Sequence, residues 1–122
     1  MQIALWIING LLALLFLVTG AFKLVKSKEG LVGAGMGWAG DFPQWFAKLI
    51  GLFEVLGAIG LIVPLATNIA PILTPIAAIG LAIIMVGATV VHARRKETPI
   101  PTIVLTVLSI VSAVLGFSIV LG

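Results

Sequence analysis

Few residues in this chain could do acid–base or ligand-binding chemistry, and three of them lie in or beside long apolar stretches. Lys23 and His92 each end such a stretch, and Glu54 lies inside one. A charged side chain in an apolar environment is costly unless it is paired or neutral, so Glu54 must have a partner or be protonated. Thr89 lies one helical turn before His92 and adds a hydroxyl. These four residues predict a buried polar cluster that could bind a ligand.

The composition shows which environment these residues share. The chain has 122 residues, of which 61% are hydrophobic and 9% are charged. Soluble domains carry about 25% charged residues, and a chain this short cannot bury so much apolar surface in one soluble core. Lipid must therefore be the solvent, which excludes a soluble enzyme, a nucleic-acid-binding protein and a disordered tail. With no Cys and one His, no zinc, haem or iron–sulfur site is expected, and no covalent cofactor.

The apolar residues fall into runs long enough to span a bilayer, which takes about 20 residues. The four runs cover residues 3–22, 45–63, 72–91 and 100–121. Together they predict an all-α membrane protein, a left-handed bundle of four transmembrane helices forming a single domain over residues 1–122. The first run has no Lys or Arg before it and is too long for a signal peptide, so we expect it to be retained.

The basic residues predict how this bundle is oriented. All seven lie in or beside the first and third connections: Lys23, Lys26, Lys28, Lys48, Arg94, Arg95 and Lys96. The second connection and both ends of the chain carry none. Because loops rich in Lys and Arg stay in the cytoplasm, the protein is expected in the inner (plasma) membrane with connections 1 and 3 inside and both termini outside.

The first connection, residues 25–44, mixes glycine with apolar side chains. This composition favours an interfacial or re-entrant hairpin, because glycine accepts turn conformations and apolar residues rest on lipid headgroups. Asp41 is a candidate helix cap, and Trp45 is a candidate anchor at the membrane interface. An unstructured linker is the alternative, against which Trp38 and Phe42 argue.

Side-chain direction explains why the polar residues should meet. Helical side chains lean toward the N-terminus of their helix, and successive spans run in opposite directions. Glu54 therefore leans toward the membrane surface, while Lys23 and His92 lean back into the membrane. Glu54 lies six residues after Lys48, which places it about 9 Å deeper in the membrane. The long stem of Lys23 can close much of this distance. The alternative is a structural pair that only fixes helix register. Asn9 is expected to make a hydrogen bond between helices.

The sequence also resembles a known family. Gly20-Ala21-Phe22-Lys23-Leu24 ends the first span, and the second contains the segment 51–61, GLFEVLGAIGL, before Pro64. With His92 ahead of two arginines, this pattern resembles the DoxX-like family of small four-span membrane proteins over nearly the whole chain. The resemblance implies that Lys23, Glu54 and His92 match recurrent polar positions of the family. It also implies an accessory role in membrane redox assemblies, since the family name derives from a terminal-oxidase and thiosulfate:quinone oxidoreductase complex.

Three functions are consistent with these features of the sequence. The first is an accessory subunit, not an enzyme on its own, that holds a quinone or lipid beside the polar cluster and works with a membrane protein partner. The second is a membrane chaperone or interaction protein without its own chemistry, in which Glu54 only holds the fold. The third is a small proton-coupled transporter similar to the small multidrug resistance family. That family carries its carboxyl in the first span and needs balanced charges for dual insertion, so the match breaks down. A homodimer through glycine faces remains open, as do the ligand and the partner.

Overall fold

The computed structural model describes residues 2–34 and 36–122; Met1 and Gly35 lie outside it. The described residues form helices and no strand, which confirms the all-α fold class. Four of the helices are long and apolar enough to cross a membrane, as predicted. In chain order the elements are α1 (Gln2–Val25), α2 (Lys28–Gly33), a 3-10 turn (Gly37–Asp41), α3 (Gln44–Thr67), α4 (Leu73–Arg94) and α5 (Ile100–Leu121). The left-handed twist of the bundle stays a prediction.

The four long helices form a closed ring. α1 packs on α3, α3 on α4, α4 on α5, and α5 returns to α1, so α1 and α4 lie diagonally across the bundle. Their inner faces meet in one apolar core that includes Leu12, Phe16, Leu61 and Leu81, all almost fully buried. Large apolar side chains also cover the outer surface of every long helix. An apolar exterior of this kind suits lipid, where the outside of a bundle need not be polar.

Two glycines bring α1 and α3 into backbone contact. A Cβ atom built on Gly20 would lie 2.7 Å from the carbonyl oxygen of Gly51, and one built on Gly51 would lie 2.7 Å from that of Gly20. Small residues allow this close approach, which is a main source of helix association in lipid. The contact fixes the position of the last turns of α1 against the first turns of α3.

The helix α3 continues through Pro64 and ends at Thr67, although the apolar pattern places the end of this span near Pro64. Proline has no N–H, so the carbonyl of Gly60, four residues earlier, loses its partner within the helix. The hydroxyl of Thr74 on α4 donates a hydrogen bond to this carbonyl, at 2.9 Å. Since lipid cannot satisfy a free carbonyl, this bond lets the helix continue at membrane depth.

The first connection is folded wherever the structure describes it. Ser27 caps α2 by accepting a hydrogen bond from the N–H of Gly30, at 3.1 Å. Leu31 of α2 and Ala39 of the 3-10 turn are both buried in a small apolar cluster under this connection. An unstructured linker therefore does not describe this segment, whereas its depth in the membrane stays a prediction. Asp41 does not cap α3, because the residue at the cap position is Pro43.

Candidate functional site

The most buried charged side chains form an ion pair between α1 and α3. Lys23 Nζ donates a hydrogen bond to Glu54 Oε1, and the two side chains are 9% and 1% exposed. The second carboxylate oxygen, Oε2, accepts a hydrogen bond from the hydroxyl of Thr19, at 3.0 Å. Both oxygens of Glu54 therefore have partners, as a buried carboxylate requires.

The helix geometry positions these three side chains. Thr19 and Lys23 are four residues apart in the last turns of α1 and so share one face of this helix. Glu54 lies ten residues after Gln44, the first residue of α3, and faces α1. The contact between Gly20 and Gly51 brings the two faces together. Thr19 is one helical turn from Lys23, and this spacing is the signal in the sequence that could have placed it at the site.

An aromatic side chain of the first connection lies beside this ion pair. The indole ring of Trp38, in the 3-10 turn, has its centroid 5.7 Å from Lys23 Nζ. A cation at this distance from an aromatic face is attracted to it, most strongly where water is excluded. Trp38 also makes an edge-to-face contact with Phe42, with ring centroids 6.4 Å apart. The 3-10 turn thus covers the Lys23 side of the ion pair.

A second group of charged residues connects the 3-10 turn to the end of α4, across the bundle from α1. Arg95, directly after α4, forms an ion pair with Asp41 at the end of the 3-10 turn. Its Nε also donates to Glu97 Oε1, at 3.0 Å. The hydrogen bond to Asp41 is the main reason that the pKa of Arg95 is raised above its ordinary value. A Cβ atom on Gly37 would lie 2.8 Å from Arg95 Nη2, so the guanidinium rests directly on the turn.

His92 and Thr89 lie apart from the Lys23–Glu54 pair. Nδ1 of His92 is 3.6 Å from Glu97 Oε1 and has no hydrogen bond in the described part of the chain. The hydroxyl of Thr89 lies 2.8 Å from the carbonyl of Met85 and 2.9 Å from the hydroxyl of Thr102 on α5. Since α4 lies diagonally across from α1, these side chains face α5 and the following connection. The structure therefore brings together two of the four residues proposed from the sequence.

A second buried polar group lies toward the opposite end of the bundle. The side-chain amide of Asn9 donates to the carbonyl of Leu61 on α3, at 2.9 Å, which confirms the predicted hydrogen bond between helices. Asn9 Oδ1 accepts from the hydroxyl of Ser112 on α5. Ser112 is only a weak candidate in the sequence, because hydroxyls in membrane helices usually bond to their own backbone. This group links α1, α3 and α5.

Three grooves in the surface of the bundle lie away from the ion pair. One, of about 470 Å³, lies between α3 and α4, and another, of about 440 Å³, lies between α4 and α5. A third, of about 370 Å³, is at the uncharged end, beside Gln2 and Asn68. Neither Lys23 nor Glu54 lines any of these three grooves. Among the residues in the described ranges, no group of three or more His, Asp or Glu could hold a metal ion.

The fold and the site together define a multi-pass membrane protein, a four-helix bundle with one buried ion pair covered by a folded connection. The chain matches the DoxX-like family over residues 7–116 and belongs to this family. It has no match among curated proteins or among solved structures.

Proposed function

We propose that this protein is an accessory component of a membrane redox assembly that binds a quinone, or a lipid with a carbonyl head, at the Lys23–Glu54 pair. The observation that carries the proposal is the free donor capacity of Lys23. An ammonium group has three N–H donors, and within the described part of the chain Lys23 Nζ donates to one acceptor, Glu54 Oε1. A buried ammonium with free donors is suited to hold a carbonyl oxygen.

Each residue of the site has a distinct task under this proposal. Lys23 donates to the ligand's carbonyl oxygen, and Glu54 holds the Lys23 side chain in place through its hydrogen bond to Nζ. Thr19 holds the second carboxylate oxygen, which stops the carboxylate from turning away. Trp38 offers an aromatic face for the ligand ring. Because the ion pair is closed, the 3-10 turn must move for a ligand to enter. The site has no group that would oxidise or reduce a quinone, so the redox chemistry belongs to the partner.

Trp38 provides a direct test of binding. Quinones quench indole fluorescence on contact, and the chain has three Trp residues, so a Trp38→Phe variant isolates the signal from this position. We would titrate the purified protein in neutral detergent with a ubiquinone that carries a ten-carbon tail. Lys23→Gln should raise the dissociation constant about 10- to 100-fold, as expected for the loss of a hydrogen bond from a charged group.

The matched control for this test is Lys48→Gln. Lys48 lies at the same end of the bundle but donates to the carbonyl of Leu24, at 2.7 Å, rather than to Glu54. This variant should bind the quinone as the wild type does. The proposal is wrong if the wild type and Lys23→Gln show the same quenching, or if the quenching is unchanged in Trp38→Phe.

One observation favours a second function, that of an interaction protein without chemistry. Both oxygens of Glu54 are already bonded, and Glu54 lines none of the three grooves described above. In that case the ion pair only holds α1 against α3. Mass spectrometry of an organic extract separates the two functions. A quinone or defined lipid present in the wild type and absent from Glu54→Gln supports binding, and two empty proteins support the interaction role.

The proposal also places the charged end of the bundle in the cytoplasm of a cell with an inner membrane. This orientation follows from the bias of seven basic residues toward connections 1 and 3. Because the chain has no Cys, single-cysteine variants report orientation without background. In intact cells a membrane-impermeant maleimide should label Asn68→Cys and not Ser27→Cys. Labelling of Ser27→Cys and not of Asn68→Cys would show that the protein has the opposite orientation.

A further inference from the structure

The basic residues at the charged end differ in whether they have partners. Lys23 and Arg95 form ion pairs, and Lys48 donates to a backbone carbonyl. Arg94 and Lys96 are exposed and make no ion pair or side-chain hydrogen bond in the described part of the chain. Their nearest acid in sequence, Glu97, is held by Arg95. Two exposed cations, two residues apart in the chain, are therefore available to an external anion.

Lys96 is placed there against the preference of the backbone. It has φ 59°, the left-handed conformation that normally selects Gly or Asn. Its N–H donates to the carbonyl of Ala93, at 3.1 Å, and the N–H of Glu97 donates to that of His92, at 2.9 Å. These two bonds form the usual end of a helix in which glycine is most common. A lysine at this position is unfavourable for folding, which suggests that its charge has a use.

An apolar groove lies below these cations on the same helix. The exposed side chains of one face of α4 recur at spacings of three and four residues, and Arg94 ends this row: Ile79, Ile83, Val86, Val90 and Arg94. Three of them, Ile79, Ile83 and Val86, line the groove of about 440 Å³ between α4 and α5. Val86 is eight residues before Arg94, which is about 12 Å along the helix.

We propose that Arg94, Lys96 and the α4–α5 groove form a binding site for an anionic phospholipid. The two cations would hold the phosphate of a headgroup that carries no compensating positive charge. One acyl chain would lie in the groove, whose lining is almost entirely apolar. The combination of cations at the end of α4 and a groove that begins about 12 Å further along the same helix distinguishes this site from a surface that only attracts lipid charge. It shares no residue with the Lys23–Glu54 site.

The test is a lipid titration of the full chain followed by native mass spectrometry. The protein in neutral detergent would receive phosphatidylglycerol or phosphatidylcholine with the same acyl chains. Phosphatidylglycerol should bind more tightly, and the double variant Arg94→Gln/Lys96→Gln should weaken its binding about 30-fold, from the usual contribution of each cation near a membrane surface. Val86→Phe, which fills the groove and keeps both charges, should also weaken binding.

The matched control is Lys26→Gln/Lys28→Gln. These cations lie at the same end of the bundle and also form no ion pair among the described residues, but they follow α1 and begin α2, whereas Arg94 and Lys96 lie at the end of α4, the helix that lines the groove. This double variant should retain phosphatidylglycerol. The proposal is overturned if it loses as much binding as the first double variant, if both lipids bind equally, or if soluble glycerol phosphate competes as well as the lipid. A Lys96→Gly variant should melt at a higher temperature yet bind the lipid more weakly.

Discussion

Replacing Lys23 by methionine tests whether the buried ion pair determines the stability of the bundle. The substitution keeps an unbranched side chain that is one atom shorter and removes the cation that neutralises Glu54. Glu54 would retain the hydrogen bond from Thr19, but no other Lys, Arg or His of the described chain forms an ion pair with it. We therefore expect a large loss of stability.

The burial of the pair sets the size of this loss. Two unit charges about 4 Å apart attract each other by about 4 kcal/mol at the effective dielectric constant of about 20 that suits protein sites. The Glu54 side chain is 1% exposed, so it cannot regain hydration when its partner is removed. Breaking a buried pair by removing one partner costs about 3–5 kcal/mol, and we expect Lys23→Met to fall in this range. Glu54→Gln should cost less, because Lys23 lies near the helix end and can extend toward water.

The double variant Lys23→Met/Glu54→Leu gives the decisive comparison. With both charges gone, the site becomes apolar, and such replacements of buried pairs are often neutral or stabilising. Unfolding would be followed by circular dichroism during titration with sodium dodecyl sulfate. The double variant should be more stable than Lys23→Met alone, with an interaction energy of about 2–3 kcal/mol. If its loss of stability instead equals the sum of the losses measured for Lys23→Met alone and Glu54→Leu alone, the two side chains do not act as a pair.

Two further predictions concern the parts that position the site. Gly20→Ala should destabilise the protein by about 1–3 kcal/mol, because its Cβ would overlap a backbone oxygen of α3, whereas Gly10→Ala, with open space around it, should be neutral or slightly stabilising in the same assay. Asp41→Asn should release the 3-10 turn, so acrylamide should quench Trp38 fluorescence more strongly with little change in melting temperature. Unchanged quenching would show that the ion pair with the guanidinium does not hold the turn.

The membrane spans could be read from the sequence because their signal is local. About 20 apolar residues between polar breaks are enough to predict a spanning helix, whatever its neighbours are. The end of α3 could not be predicted in this way, because it depends on a distant residue. In the sequence Pro64 indicates a helix end, whereas in the structure Thr74 donates to the carbonyl of Gly60 and the helix continues.

The site was only half predictable for a related reason. The lean of side chains toward the helix N-terminus gives their depth in the membrane, and Lys23, Glu54 and His92 share similar depths. It does not give the order of helices around the ring. His92 is on α4, diagonal to α1, and the turn after α4 brings Glu97 back to it. Thr19 carries no charge, so its spacing of one helical turn from Lys23 is its signal in the sequence.

The one-sided distribution of charge also bears on how the chain enters the bilayer during synthesis. Residues 55–93 contain no Lys, Arg, Asp or Glu, and they include most of α3, the connection 68–72 and nearly all of α4. An α3–α4 hairpin can therefore push its tip through the hydrocarbon without carrying a charged side chain across, a step that costs about 2.5–3.5 kcal/mol per charge. Glu54 stops short of that tip and can stay close to Lys23 throughout. The α3–α4 hairpin can therefore insert into the bilayer while Glu54 forms its ion pair with Lys23, in one step.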